Sequence, residues 1–335
     1  MGRNLGLRLV GSAPAPKPGK SEDIPKLLEV DAILFELGSG LVSLAQNEAP
    51  LLARTTSMRR HLAQELGLEL PTVRFRDNLK FKPFEFVLKI RDLPVGRAEL
   101  REGHLLCIGP EKLLQKLGGD QVLDPTYGFA GRWVLPEQRA RLEQEGAVVL
   151  CHVTMLAVQL LEASRAHAPE LLTLEMAQRR LRAPAQAAAL AALEKRGVDE
   201  VTIWHLLREL LRERVSVRDL TTILQSLLDD GDQPALAKVR RGLARQLTND
   251  NLSEDGKLYA LVVKPDDEQQ LLGPAPEATA GRLVQHLRER AQCQKYLTSS
   301  EGRMRVSAQL RKFAPECQVL APEEIVAGTP IVDLA

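Results

Sequence analysis

The sequence predicts an α+β protein of several subdomains, because its periodicity changes twice along the chain. Short apolar runs alternate with amphipathic stretches up to about residue 150. Six consecutive helical patterns follow from Met155, and a strand pattern over residues 258–263 opens a last mixed unit. At 335 residues the chain has room for two to four compact units of roughly 100–200 residues each. Hydrophobic residues make up 44% but aromatics only 4%, so the cores must be built mostly from Leu, Val and Ala. The 45 Lys and Arg against 44 Asp and Glu leave a formal charge of +1. That balance removes the bulk electrostatic footprint of a nucleic-acid binder.

Eight of the first 25 residues are Gly or Pro, so residues 1–27 read as a flexible linker into a folded body. This segment has no apolar run of the kind a secretory signal needs. The most apolar stretch, residues 147–161, is interrupted by His152, Thr154 and Gln159 and falls short of the ~20 residues that span a bilayer. Residues 30–37 have the length and apolar content of a strand that stops at Gly38-Ser39-Gly40. A helix over 49–66 follows, with Leu51, Leu52, Met58, Leu62 and Leu66 near helical spacing and Gly67 as its stop. Strands are expected at 72–75, 84–90, 97–100, 104–108 and 147–153, with helices at 111–117 and 137–145. The helical region comprises 155–167, 170–181, 185–196, 202–213, 217–229 and 235–247. After the 258–263 strand come a Pro/Asp-rich break, helices at 280–292 and 304–313, and a strand at 317–320.

No catalytic set assembles from these elements. Cys107, Cys151, Cys293 and Cys317 form no C-x-x-C pair, and so few thiols in a chain this long suit a reducing compartment. Cys151 and His152 adjoin, but on the expected strand their side chains point to opposite faces and cannot form a dyad. Six scattered histidines offer no zinc-ligand spacing. Gly38-Ser39-Gly40 matches half of a dinucleotide fingerprint, but Ser43 stands where the third glycine belongs, and a tight strand-exit turn explains the pair better. Trp204–Asp229 has a helix-turn-helix outline, with Ser216 as the expected cap and Asp219 reaching back. Its second helix offers one Arg against three carboxylates, which suits packing better than base reading, although a nucleic-acid-binding regulator is the alternative function. Asp124-Pro125-Thr126-Tyr127-Gly128 is a turn carrying an aromatic, and residue types leave a core role and a binding role even.

Five stretches in order resemble one family, the type III secretion export gate proteins of flagella and injectisomes. They are Glu36-Leu37-Gly38-Ser39-Gly40-Leu41-Val42, residues 58–68, Val73-Arg74-Phe75-Arg76-Asp77-Asn78 with Lys82-Pro83, the Asp124–Gly128 turn with Trp133, and Val215-Ser216-Val217-Arg218-Asp219-Leu220-Thr221-Thr222-Ile223-Leu224. The resemblance is to the family's cytoplasmic domain and runs from about Leu28 to the C-terminus. It implies a split α/β first subdomain (28–102 and 152–171), an inserted small α/β subdomain (103–151), an all-helical subdomain (172–251) and a C-terminal α/β subdomain (252–335).

It further implies a non-enzymatic homo-oligomeric ring, nonameric in the family, with no cofactor and no small-molecule substrate. The ring lies on the cytoplasmic face of the bacterial inner membrane, docks export chaperones with their cargo, and meets the stalk protein of the secretion ATPase. The family's chaperone groove maps onto Asp124, Tyr127 (Phe in the family) and Val158, the last within Ala157-Val158-Gln159 where the family has Ala-Thr-His. Because the chain lacks the family's membrane helices, it reads either as a cytoplasmic fragment or as a stand-alone relative, itself soluble.

Overall fold

The computed structural model describes residues 29–46, 50–290 and 294–335. The expected linker 1–27 and Cys293 lie outside the described residues. Strand β1 (Ile33–Leu37) is buried except at Glu36 and lies inside a four-stranded sheet. Helix α1 (Pro50–Glu65) follows, burying Leu51, Met58 and Leu62. Then β2 (Val73–Asp77) pairs parallel to β1, β3 (Glu85–Ile90) pairs antiparallel to it, and β4 (Leu93–Glu99) completes the order β2-β1-β3-β4. β4 begins four residues before the strand expected from the sequence. Its hairpin turn is Arg91-Asp92, with φ of 48° and 64°, a left-handed pair without the glycine that usually signals it.

A second sheet is inserted next: β5 (Leu105–Ile108), α2 (Glu111–Leu117), β6 (Gln121–Leu123), β7 (Ala130–Val134), α3 (Arg139–Gln144) and β8 (Val148–Leu150), antiparallel in the order β6-β7-β5-β8. Its small core is Cys107, Leu113, Leu114, Val134, Leu142, Ala147 and Val149. Strand β8 stops at Leu150. Cys151 stands at the N-cap position of α4 (His152–Ala166), and His152 is already helical, which corrects the strand expected through 153. Helix α4 carries the chain back to the first unit, where Met155, Leu156 and Leu160 join the core of Ile33, Phe35 and Leu62.

The helical region runs α5 (Ala168–Leu171), α6 (Leu174–Leu181), α7 (Ala187–Lys195), α8 (Glu200–Arg212), α9 (Leu220–Leu228), α10 (Ala235–Gly242) and α11 (Ala244–Asn251). The expected 170–181 helix is divided because Thr173 caps α6, its hydroxyl accepting from Met176 N at 3.2 Å. Helix α9 starts three residues later than expected, and its cap is Asp219 rather than Ser216: the Asp219 carboxylate accepts from Thr222 N at 3.0 Å. The cause is tertiary. Val217 N donates to Leu66 O at 2.9 Å, and Arg180 donates to Gly67 O and Val217 O at 2.7 and 2.8 Å, so this stretch is held against the end of α1. Gly67 is needed at that crossing, since it has φ +69° and an added Cβ would lie 2.5 Å from Arg218 N.

The last unit is β9 (Leu258–Val262), α12 (Pro265–Leu272), α13 (Glu277–Arg290), β10 (Lys295–Leu297), α14 (Arg303–Leu310), β11 (Gln318–Leu320) and β12 (Ile331–Asp333), a parallel sheet ordered β11-β10-β9-β12. The Pro/Asp-rich break is a helix start, with Pro265 at the first position and three acids in the first turn. The α+β, multi-subdomain fold with an inserted second sheet is therefore what the sequence predicts.

Candidate partner-binding site

The loop between β6 and β7 is built around Asp124, which is buried. Its carboxylate accepts from Tyr127 N at 2.6 Å and Thr126 N at 3.2 Å, while Gly128 N donates to Asp124 O and Asp124 N to Phe129 O. Gly128 closes the turn at φ +71°. A short acidic side chain that bonds the amides two and three residues on fixes such a turn without outside help. Its effect is to push Tyr127 and Phe129 outward, 53% and 58% exposed, with ring centroids 5.8 Å apart.

Helix α4 faces this turn and ties it at two points. Thr126 Oγ1 donates to Gln159 Oε1 at 3.0 Å, and Tyr127 OH donates to Glu162 Oε1 at 3.0 Å. Residues 159 and 162 are three apart, so both present the same helix face. Gln159 fits because Gly96 of β4 leaves room; a Cβ there would lie 2.5 Å from Gln159 Nε2. Glu162 Oε1 also accepts from Arg165 Nη1, and Arg165 forks onto Glu65 of α1 at 2.9 and 2.8 Å. Burial, then the charge of Glu162 and the hydrogen bond to it, push the Tyr127 phenol up to about 12.

Between the turn, α4 and the C-terminal unit lies a cleft of about 1180 Å³. Val95, Thr126, Tyr127, Phe129, Gln159 and Glu162 form one wall, and Arg214, Arg288 and Glu316 face them. Of the residues expected at the site, Asp124 organises the turn and Tyr127 lines the cleft. Val158 is half-buried in α4, and the cleft wall takes its neighbour Gln159 instead. Glu162 and Phe129 are not among the residues expected at the site from sequence, and Gln159 enters there only as the neighbour of Val158 where the family has His. The i, i+3 polar pair on an otherwise apolar helix was the available signal.

The other motifs have structural duties. The amides of Gly38 and Gly40 donate to Glu85 O and Pro83 O at 2.8 Å each, so neither is free for a phosphate. Cys151 Sγ lies 3.3 Å from Thr154 Oγ1, while His152 Nε2 lies 3.0 Å from Arg101 O, so they share no contact. Burial alone would raise the Cys151 thiol, but the Thr154 hydroxyl and the α4 amides more than offset it and the thiol is lowered. Trp204 Nε1 donates to Leu172 O at 2.9 Å, with the Arg208 guanidinium 4.8 Å from its ring centroid. Helix α9 buries Leu220, Ile223 and Leu224, which fits it for packing. Among the described residues no cluster of three or more His, Cys, Asp or Glu has metal-ligand geometry, and no helix is long and apolar enough to cross a membrane.

A family model described as the FHIPEP family matches residues 10–329. The chain belongs to the FHIPEP family. These are the flagellar and injectisome export gate proteins to which the sequence motifs pointed. The flagellar biosynthesis protein FlhA of Caulobacter vibrioides is 30% identical over 284 residues, covering 79% of this chain and 40% of that protein. FlhA of Bacillus subtilis is 27% identical over 343 residues, covering 92% of this chain and 50% of that protein. This FHIPEP chain thus spans half or less of these relatives. Solved structures share its fold. Chlamydia pneumoniae CdsV superposes with a TM-score of 0.77 at 18% identity, covering 91% of this chain and 97% of that one. CdsV in complex with CdsO gives 0.79 at 17% identity, covering 92% and 97%. The nonameric EscV cytosolic domain of a type III secretion system gives 0.68 at 16% identity, covering 91% and 96%.

Proposed function

We propose that this chain is a non-enzymatic platform on the cytoplasmic face of a bacterial inner membrane, where export chaperones deliver cargo to a type III export gate. The observation that carries this reading is the pair of exposed aromatics, Tyr127 and Phe129, at the edge of a wide cleft on a turn that Asp124 holds rigid. Such rings contribute large contact area at little conformational cost, which suits a protein partner. Two further parts of the proposal take support from its fold neighbours: self-association into a ring, as in the nonameric EscV domain, and a stalk-type partner, by analogy with CdsO beside CdsV. Its working units are the split first subdomain 28–102 and 152–171, the insert 103–151, the helical 172–251 and the C-terminal 252–335.

The test is calorimetric titration of the chain with export chaperone–cargo complexes from the same organism. Saturable binding is expected, weakened by about 1–3 kcal/mol in Tyr127→Ala and abolished with Asp124→Ala added. Unchanged affinity in a double variant that keeps its circular dichroism rejects the site.

A further inference from the structure

The Tyr127 ring is half exposed, and its ring neighbour Phe129 is exposed as well. Sterics alone give such a side chain little reason to keep one rotamer. A hydrogen bond from its hydroxyl to a carboxylate does. Glu162 is itself held: the same Oε1 that accepts from Tyr127 OH accepts from Arg165 Nη1. The far edge of Arg165 is fixed by both oxygens of Glu65, and its Nη2 lies 3.3 Å from His61 Nε2. The contacts therefore run from the turn of the second sheet, across α4, to α1 of the first unit. A ring on one subdomain is oriented by a helix of another.

We propose that Glu162 is a positioning residue that holds the Tyr127 ring in one orientation at the cleft mouth, and thereby sets how tightly a docked partner is bound. The inference rests on reading the cleft as a docking site. An anchor already fixed in its bound rotamer loses less entropy on docking, so the tie strengthens binding without touching the partner. A phenylalanine at this position has no hydroxyl to be held, so Glu162 gains its role only with tyrosine.

Two measurements on the full chain test it. The first places a ring-fluorinated tyrosine at position 127, whose phenol ionises below that of tyrosine, and follows it by fluorine NMR. Glu162, Arg165 and Asp124 are the charged groups acting on that phenol. One resonance is expected, titrating at higher pH in the native background than with Glu162→Leu, which should also broaden or split it. The second is a double-mutant cycle with the chaperone–cargo complex. Glu162→Leu should weaken binding about tenfold, the scale of one hydrogen bond to a charged group. Glu162→Gln, which keeps an acceptor, should restore most of it, and Glu162→Leu should cost nothing beside Tyr127→Phe.

An identical fluorine titration with and without Glu162→Leu overturns the tie. An equal affinity loss in the Tyr127→Phe background also overturns the proposal, because Glu162 then acts independently of the ring, by holding the fold or by meeting the partner from the cleft wall. If the native chain binds no complex, the docking reading fails and the proposed effect on affinity falls with it. The fluorine titration then still decides whether Glu162 holds the ring.

Discussion

The guanidinium of Arg240 and the carboxylate of Glu324 meet edge to edge, Nε on Oε1 and Nη2 on Oε2, both at 2.7 Å. Both side chains are buried. Arg240 belongs to α10 in the helical region, and Glu324 follows β11 in the C-terminal unit. Glu213 Oε2 completes the cluster, accepting from Arg240 Nη1 at 2.9 Å and from Arg303 Nη1 at 2.8 Å. Two cations and two anions thus cancel inside a buried seam, and Arg240 Nη2 also donates to Val319 O at 3.0 Å. A buried pair adds little over an apolar one, but breaking it is costly because the remaining charge keeps its desolvation penalty.

Glu324→Ala should therefore lower unfolding stability by about 3–5 kcal/mol in urea titrations, since it leaves two buried guanidiniums, Arg240 and Arg303, sharing the single carboxylate of Glu213. Adding Arg240→Met should recover part of that loss. A loss under about 1 kcal/mol for Glu324→Ala would mean that water or another anion replaces the carboxylate.

Gly96→Ala separates the site from the fold. The new Cβ would lie 2.5 Å from Gln159 Nε2, the far end of a flexible side chain, so β4 is kept and Gln159 moves. Movement breaks the Thr126 hydroxyl bond and loosens one of the two ties between the turn and α4. The expected result is a several-fold loss of partner affinity with a stability cost of about 1 kcal/mol, read by calorimetry beside a thermal melt. Undiminished affinity would show that the Thr126–Gln159 tie has no part in docking.

These cases show what was legible in the chain. Ile33, Phe35 and Leu37, or Leu51, Met58 and Leu62, carry their burial in their spacing, and much of the element order follows from such patterns, but short strands such as β6, β7 and β12, and helix α12, were not expected. Asp124 and Gly128 announce their turn because their conformations are local. Arg91-Asp92 did not, because a positive φ without glycine is imposed by the paired strands. Ser216 has the residue type of a cap, yet Val217 is held by Leu66 and Arg180 from far along the chain, and the helix waits for Asp219. Gln159 stood in the sequence beside Val158, but its tie to Thr126, and that of Glu162 to Tyr127, became visible only when α4 was set against the turn. The Arg240 cluster gave no local sign at all, as its members come from residues 213, 240, 303 and 324.

Two glycines of similar backbone geometry should respond very differently to alanine. Gly67 and Gly256 have φ of +69° and +75°, so each alanine costs the left-handed penalty of about 1 kcal/mol. Around Gly256 an added Cβ meets nothing within 4 Å, whereas at Gly67 it meets the Arg218 backbone at 2.5 Å. Gly67→Ala should then also push the 215–218 stretch off the end of α1, and its melting temperature should fall several degrees below that of Gly256→Ala. Equal melting temperatures would mean that this crossing yields without cost.

Glu268 gives the chain an acid-sensitive contact in its last unit. From α12 its Oε2 accepts from Thr298 Oγ1 at 2.7 Å and Ser299 N at 3.1 Å, and its Oε1 accepts from Ser299 Oγ. Burial would raise its pKa, but the Ser299 and Thr298 hydroxyls together with the Ser299 amide outweigh it and hold the carboxyl below the usual glutamate range. A carboxylate whose folded pKa is depressed stabilises the fold above its unfolded pKa. That contribution is lost as pH falls through the folded value. Glu268→Gln should accordingly be less stable than the native chain at neutral pH, by about 1 kcal/mol. The gap should close as both are acidified below the glutamate range, because the native side chain then carries a proton too. Urea unfolding of both chains across that range measures it, and a gap that stays constant with pH would place the effect in packing instead of charge.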